Sequence, residues 1–271
     1  MAWWSREGRD RGSARRRGPE DVAALAERNA DGVSYFAVGR ASDAIARFAD
    51  AHEGCLVTLG ADHPHTLVTA GNLAAACVAA GDWRRGLDLM AVNLADRVRV
   101  FGDDDPRTLT AADAMASAYR LVGDVNEAIT LSDRVTAERR RVLGPTHPDT
   151  LVSRMGMALA RAAAGDVMAA ITLLEVTLHD SEQAHGARHQ HTIALRANVA
   201  ACLVTLGRGD EAVAAYRQAV DDSAALLGAN HPDTVALHEE LLKIVQDGAS
   251  RNAASSSDST SANRVEVISS T

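Results

Sequence analysis

Glycine recurs at an interval of 42 residues along most of this chain, at Gly60, Gly102, Gly144, Gly186 and Gly228. A second series, Gly39, Gly81, Gly123, Gly165 and Gly207, keeps the same interval, and both hold their phase without an insertion or deletion. A fixed period of this size means that one supersecondary unit is repeated and stacked, each copy burying its apolar face against the next. Such an array offers an extended surface in place of one deep catalytic pocket.

The copy from residue 103 to 144 gives the unit. Pro106 stands where a first helical turn tolerates proline, and Thr108 follows inside that turn. Leu109 to Val122 is rich in small and apolar residues, and Gly123-Asp124 breaks the helix. A second helix is predicted from about Asn126 to Val142, with Ala128, Ile129, Leu131 and Val135 recurring largely at three- and four-residue spacing. Each unit is therefore helix–turn–helix. An alanine opens most second helices (Ala44, Ala128, Ala170, Ala212; Gly86 in the remaining copy). Another small residue sits midway along each first helix (Ala74, Ala116, Ala158, Ala200; Gly32 in the first). Paired helices must cross closely at these two positions, and a large side chain there overpacks the contact by roughly 1–3 kcal/mol.

Composition fits this reading. Aromatics are only 3% of residues, which favours close-packed helices over a β-sandwich. The net charge of −8 argues against a general nucleic-acid binder. Residues 1–20 carry six arginines against Glu7, Asp10 and Glu20, a basic start on an acidic body. Cys55, Cys77 and Cys202 suit neither a metal knuckle nor a disulfide framework, and read as small core residues in a reducing compartment. No apolar run reaches the roughly 20 residues that span a bilayer, and the basic start lacks the apolar segment of a secretory signal. The expectation is a cytoplasmic chain without membrane contact. Segments 1–18 and 248–271 are predicted to be disordered, flanking an array over 19–247 whose last element is a capping helix over 232–246.

The Gly-Asp turn, the alanine opening the second helix and a bulky residue four further on (Phe48, Met90, Leu174, Tyr216; Ser132 departs) resemble the tetratricopeptide repeat. The 42-residue length and the joints Leu143-Gly144-Pro145-Thr146-His147-Pro148-Asp149-Thr150 and Leu227-Gly228-Ala229-Asn230-His231-Pro232-Asp233-Thr234 are similar to its kinesin-light-chain-like subclass, which many bacterial proteins carry. The resemblance covers about residues 20–247. It implies an all-α fold, a right-handed α-solenoid of antiparallel helix pairs, with protein or peptide binding along the inner face. In that subclass an Asn on each first helix commonly holds a ligand's backbone. Asn72 and Asn198 match it, whereas Ala114 and Gly156 interrupt the ladder.

Helical spacing predicts which first-helix residues face the groove: Val68, Gly71, Ala75 and Val78; Thr110, Asp113, Ser117 and Arg120; Val152, Met155, Leu159 and Ala162; Ala194, Ala197, Ala201 and Val204. Apart from Asp113 and Arg120 this face is small and mostly apolar. It suits an apolar helix or a small apolar ligand, or else it is buried by a tight superhelix or by a homodimer. Arg154 and Arg196, one repeat apart, could neutralise an acidic partner or could cover apolar surface with their stems.

His179, His185, His189 and His191 cluster around one joint, and His185, His189 and His191 are the candidates for a metal site. But His189 shares its joint position with His63, His147 and His231, which read as loop histidines bonded to backbone at a helix start. Trp3 and Trp4 beside the arginines could touch nucleic acid or an acidic partner, or belong to a solvated tail. No Gly-x-Ser-x-Gly elbow and no phosphate loop is present, since the only lysine, Lys243, follows Leu242. The sequence therefore reads as a non-enzymatic adaptor or scaffold without a cofactor. A ligand- or peptide-sensing regulator and a metal-dependent accessory enzyme are the alternatives.

Overall fold

A computed structural model describes residues 21–262, with side chains to residue 248. The chain divides after Gly102 into two compact units. The first holds α1 (Val22–Ala37), α2 (Ala41–Leu59), α3 (Pro64–Ala79) and α4 (Trp83–Phe101). The second holds α5 (Pro106–Val122), α6 (Val125–Leu143), α7 (Pro148–Ala163), α8 (Val167–His185), α9 (Gln190–Thr205), α10 (Gly209–Leu227) and α11 (Pro232–Ala262). No strand occurs among the described residues. The fold is all-α, of the α-solenoid class, built from sequential antiparallel hairpins.

Both glycine series are explained by backbone geometry. Gly123 ends α5 with φ 94°, and its neighbour Asp124 donates its N–H to Tyr119 O at 2.9 Å, the closing bond of a Schellman turn. Gly144 ends α6 with φ 96° and ψ 162°, a region that only glycine enters without strain. The chain turns twice per repeat, and each turn requires a residue without Cβ.

Close helix crossing is equally local. Ala44, Ala128, Ala170 and Ala212 are fully buried. A Cβ at Gly86 would stand 2.5 Å from Val78 Cγ2 and 2.9 Å from Val78 N, so this copy uses glycine where the others use alanine. Gly32 lies under the Phe48 ring, which a Cβ would meet at 2.6 Å. The degenerate first repeat therefore still forms a regular α1, because Gly32 admits the Phe48 ring.

The last helix is longer than the 232–246 cap expected from the sequence. No proline interrupts the chain after Pro232, and the backbone stays helical to Ala262. The expected tail over 248–271 is thus helical in its first part. The arginine-rich start over 1–18 lies outside the described residues, as do 263–271.

Candidate functional site

First helices touch first helices within each unit: α1 meets α3, α5 meets α7, and α7 meets α9. Within each unit they form one layer, and the residues named above as groove candidates belong to these helices. In the second unit this layer opens into a cavity of about 380 Å³ between α9, α10 and α11. Ala194, Ala197, Asn198 and Ala201 of α9 line it, with Tyr216 and Leu227 of α10 and Leu237 of α11. The cavity exists because the facing side chains are too short to fill the space: three alanines on α9 oppose Ala236 on α11. Burial raises the Tyr216 phenol pKa, and the charge of Glu240 adds to the effect.

The two ladder asparagines behave alike. Asn72 Nδ2 donates to Asn29 Oδ1 at 2.9 Å, joining α3 to α1. Asn198 Nδ2 donates to Ala194 O at 2.8 Å and lies 3.4 Å from Met155 Sδ on α7. Each therefore spans neighbouring first helices one repeat apart. Val68 and Val204 are exposed, and Ala75, Ser117, Arg120, Met155 and Leu159 are half-buried.

Three residues expected on the groove are placed differently. Val78 is buried, because it packs over the gap left by Gly86. Arg196 is 3% exposed and is clamped by Asp222 at 2.7 Å and Glu182 at 2.6 Å. Arg154, the same position one repeat earlier, pairs with Asp180 at 2.6 Å. Arg196 is buried and Arg154 nearly so, and each spends its guanidinium on carboxylates of this chain, so neither is open to an acidic ligand.

Asp113 and Thr110 are likewise engaged. Arg139 of α6 is buried and its Nη1 donates to Asp113 Oδ2 (3.2 Å), Ser153 Oγ (2.7 Å) and Asp149 O (2.9 Å), while Nη2 donates to Thr110 Oγ1 (3.1 Å). Burial pushes the Asp113 carboxyl up, against the opposing pull of Arg139. Sequence reasoning missed Arg139: the second helices place Cys55, Arg97, Arg139, Ser181 and Ser223 at this one repeat position, and mixed chemistry at a fixed register was the available signal.

The joint histidines are helix caps. Nδ1 of His63, His147, His189 and His231 each accepts the N–H of the residue two further on, at 3.2–3.3 Å. Asp105 does the same with its carboxylate in the remaining joint. His185 Nε2 lies 2.8 Å from Thr146 O, and the rings of His185 and His189, and of His189 and His191, are 5.0 Å apart. Among the described residues no group of three or more His, Cys, Asp or Glu side chains is arranged to hold a metal ion. Burial lowers the pKa of His189, with repulsion from His185 adding to it, and lowers that of His191, where repulsion from His189 and His185 works against the pull of Asp149. No described helix is long and apolar enough to cross a membrane.

The Tetratricopeptide repeat family profiles match residues 24–92, 107–179 and 192–233. No curated protein matches the sequence. Among solved structures, the nearly identical tetratricopeptide-like repeats assigned to a Podosopora anserina kinesin light chain share 25% identity. The match covers 75% of this chain and 96% of that one, with a TM-score of 0.60. A tetratricopeptide repeat protein of Thermus thermophilus shares 19% identity over 82% of this chain and 99% of its own, at TM-score 0.58. A Rap protein complexed with competence and sporulation factor shares the fold at 12% identity, with 86% of this chain and 70% of that one covered and a TM-score of 0.65.

Proposed function

Because this chain belongs to the tetratricopeptide repeat family, a family of non-enzymatic scaffolds, we propose that it is an adaptor holding a partner protein's segment on the first-helix layer of its second unit. The observation that carries this reading is the cavity between α9, α10 and α11. It is apolar, open, and lined by the small residues at which helical spacing expected a groove. A rigid hairpin stack holds that surface in place before binding, which limits the ordering cost of association. Asn198 and Gln190 add amide groups that give an entering segment a polar register.

A photo-crosslinking amino acid at Ala201, compared with one at the exposed Thr172 on the outer helix α8, tests the reading in cells. Capture of the same protein from position 201 and not from 172 is the expected result. Capture from 172 alone moves the partner to the outer helices and ends this assignment. A second reading, a small apolar ligand in the same space, is favoured by the cavity volume, which lies within the usual range of small-molecule sites. Native mass spectrometry of freshly purified protein checks it: an unchanged protein mass removes that alternative.

A further inference from the structure

Charge is distributed very unevenly along this chain. Its net charge is −8, and residues 209–248 alone hold eight carboxylates against Arg217 and Lys243, a net of −6, although Glu211 is paired with Arg208 and Asp222 with Arg196 from outside that stretch. These residues form α10 and the described part of α11, two of the three helices around the 380 Å³ cavity. Asp233 and Glu240 stand among its lining residues, which include no Arg, Lys or His. Glu240 pairs at 2.6 Å with Lys243, an exposed contact that solvent screens. The mouth is therefore an apolar hollow in the most acidic stretch of the chain.

One segment of the same chain has the complementary chemistry. Residues 1–18 hold Trp3 and Trp4, two of the three tryptophans, followed by Arg6, Arg9, Arg11, Arg15, Arg16 and Arg17. An indole is a large apolar anchor with one N–H to donate, and Asn198 and Gln190 offer amide oxygens at the cavity wall. The flanking arginines meet the carboxylates of α10 and α11, an attraction that acts over about 8–10 Å at ordinary salt. Another large cavity, about 680 Å³ between α2, α3 and α4, discriminates poorly: Arg84 and Arg85 stand beside Asp82 and Asp88 on its wall. Residues 22–102 around it carry nine carboxylates against seven arginines.

We propose that the α9–α11 cavity receives residues 1–18 of a second copy of this chain, with Trp3 or Trp4 in the hollow and the arginines on the acidic helices. This rests on the reading of the cavity as a binding face. Each copy carries one basic segment and one acidic cavity, so the contact joins unlike surfaces of two copies.

The test uses the full chain and a fluorescent peptide of residues 1–18. The peptide binds saturably, and affinity falls by about tenfold or more in the Trp3→Ala/Trp4→Ala peptide, with Ala201→Trp in the protein, and with Asp233→Arg/Glu240→Arg. Sedimentation velocity gives a mass that rises with concentration for the wild type and stays at one copy for Trp3→Ala/Trp4→Ala. Circular dichroism melts confirm that each variant is folded, and the peptide changes need no refolded protein. A peptide indifferent to Ala201→Trp overturns the proposal. So does a full-length chain that remains single at every concentration while still binding the peptide. Crosslinked capture of another protein at position 201, with no peptide binding, removes this occupant and leaves the binding face standing.

Discussion

Arg139 on α6 and Asp113 on α5 form an ion pair at 3.2 Å in a site from which water is nearly excluded, the two side chains being 4% and 18% exposed. Ser153 Oγ of α7 donates to the other carboxylate oxygen at 3.0 Å, so one buried network ties three helices of the second unit together. Removing one partner strands the other's charge. Arg139→Ala is expected to cost about 3–5 kcal/mol in urea denaturation. Arg139→Met with Asp113→Leu is expected to recover most of that loss, because no charge is then left unpaired. Equal destabilisation by the single and double changes would show that the pair contributes only shape.

The sequence announces some of these features and hides others. Gly123, Gly144, Ala128 and His147 were legible because each answers a local demand: a left-handed turn, a close crossing, a helix cap. Local demands recur in every copy and so stand out as a period. Arg139, Arg196 and Val78 were not legible in the same way. Arg196 finds Asp222 across 26 residues and Glu182 across 14, separations set by how hairpins stack and not by helical spacing. Val78 leaves the groove only because Gly86 opens a gap for it. The cavity depends on what α11 does beside α9 and α10, and among the described residues no second helix follows α11.

Gly86 and Gly156 should respond in opposite directions to the same change. Gly86→Ala drives a methyl group into Val78 and its backbone nitrogen, and is expected to lower stability by about 1–3 kcal/mol. Gly156 lies inside α7 with nothing within 4 Å of an added Cβ, so Gly156→Ala is expected to raise stability by about 0.5–1 kcal/mol. Chemical denaturation midpoints at constant m-value report both. A stabilised Gly86→Ala protein would mean the α3–α4 crossing is looser than described.

Acid should loosen the chain at the α9 joint, where His189 caps the helix and His191 lies beside it. Nδ1 can accept a hydrogen bond only while the imidazole is neutral, and burial holds the His189 and His191 pKa values below the ordinary value of about 6.5. The unfolded chain then takes up protons first as pH falls. The contribution is complete above about pH 6.5 and is lost as pH drops through the lower folded-state values. Tm is therefore expected to fall between about pH 7 and pH 5. Replacing His189 by Asp, the residue that caps the equivalent joint at Asp105, should reduce that fall, since an aspartate cap stays ionised to about pH 4. Parallel Tm–pH curves for wild type and His189→Asp would assign the acid sensitivity elsewhere.

Cys55, Cys77 and Cys202 are all buried, and burial raises the thiol pKa of Cys77 and Cys202. Thiolate is the reactive form, so native protein should label negligibly with a disulfide reagent at neutral pH and label at all three cysteines once unfolded. Rapid labelling of Cys202 in the native state would indicate opening of the α9–α10 hairpin.

Every joint between hairpins carries its own glycine after one helix and its own capping side chain before the next. Cutting the chain at two equivalent joints removes a block of 42 residues with both ends already satisfied, so the remaining stretch can be rejoined without leaving exposed helix ends. Duplication of that block is equally clean. The length of such a chain is for this reason open to change in whole steps during descent, and a gene encoding it can gain or lose a hairpin in one recombination event without a compensating mutation elsewhere.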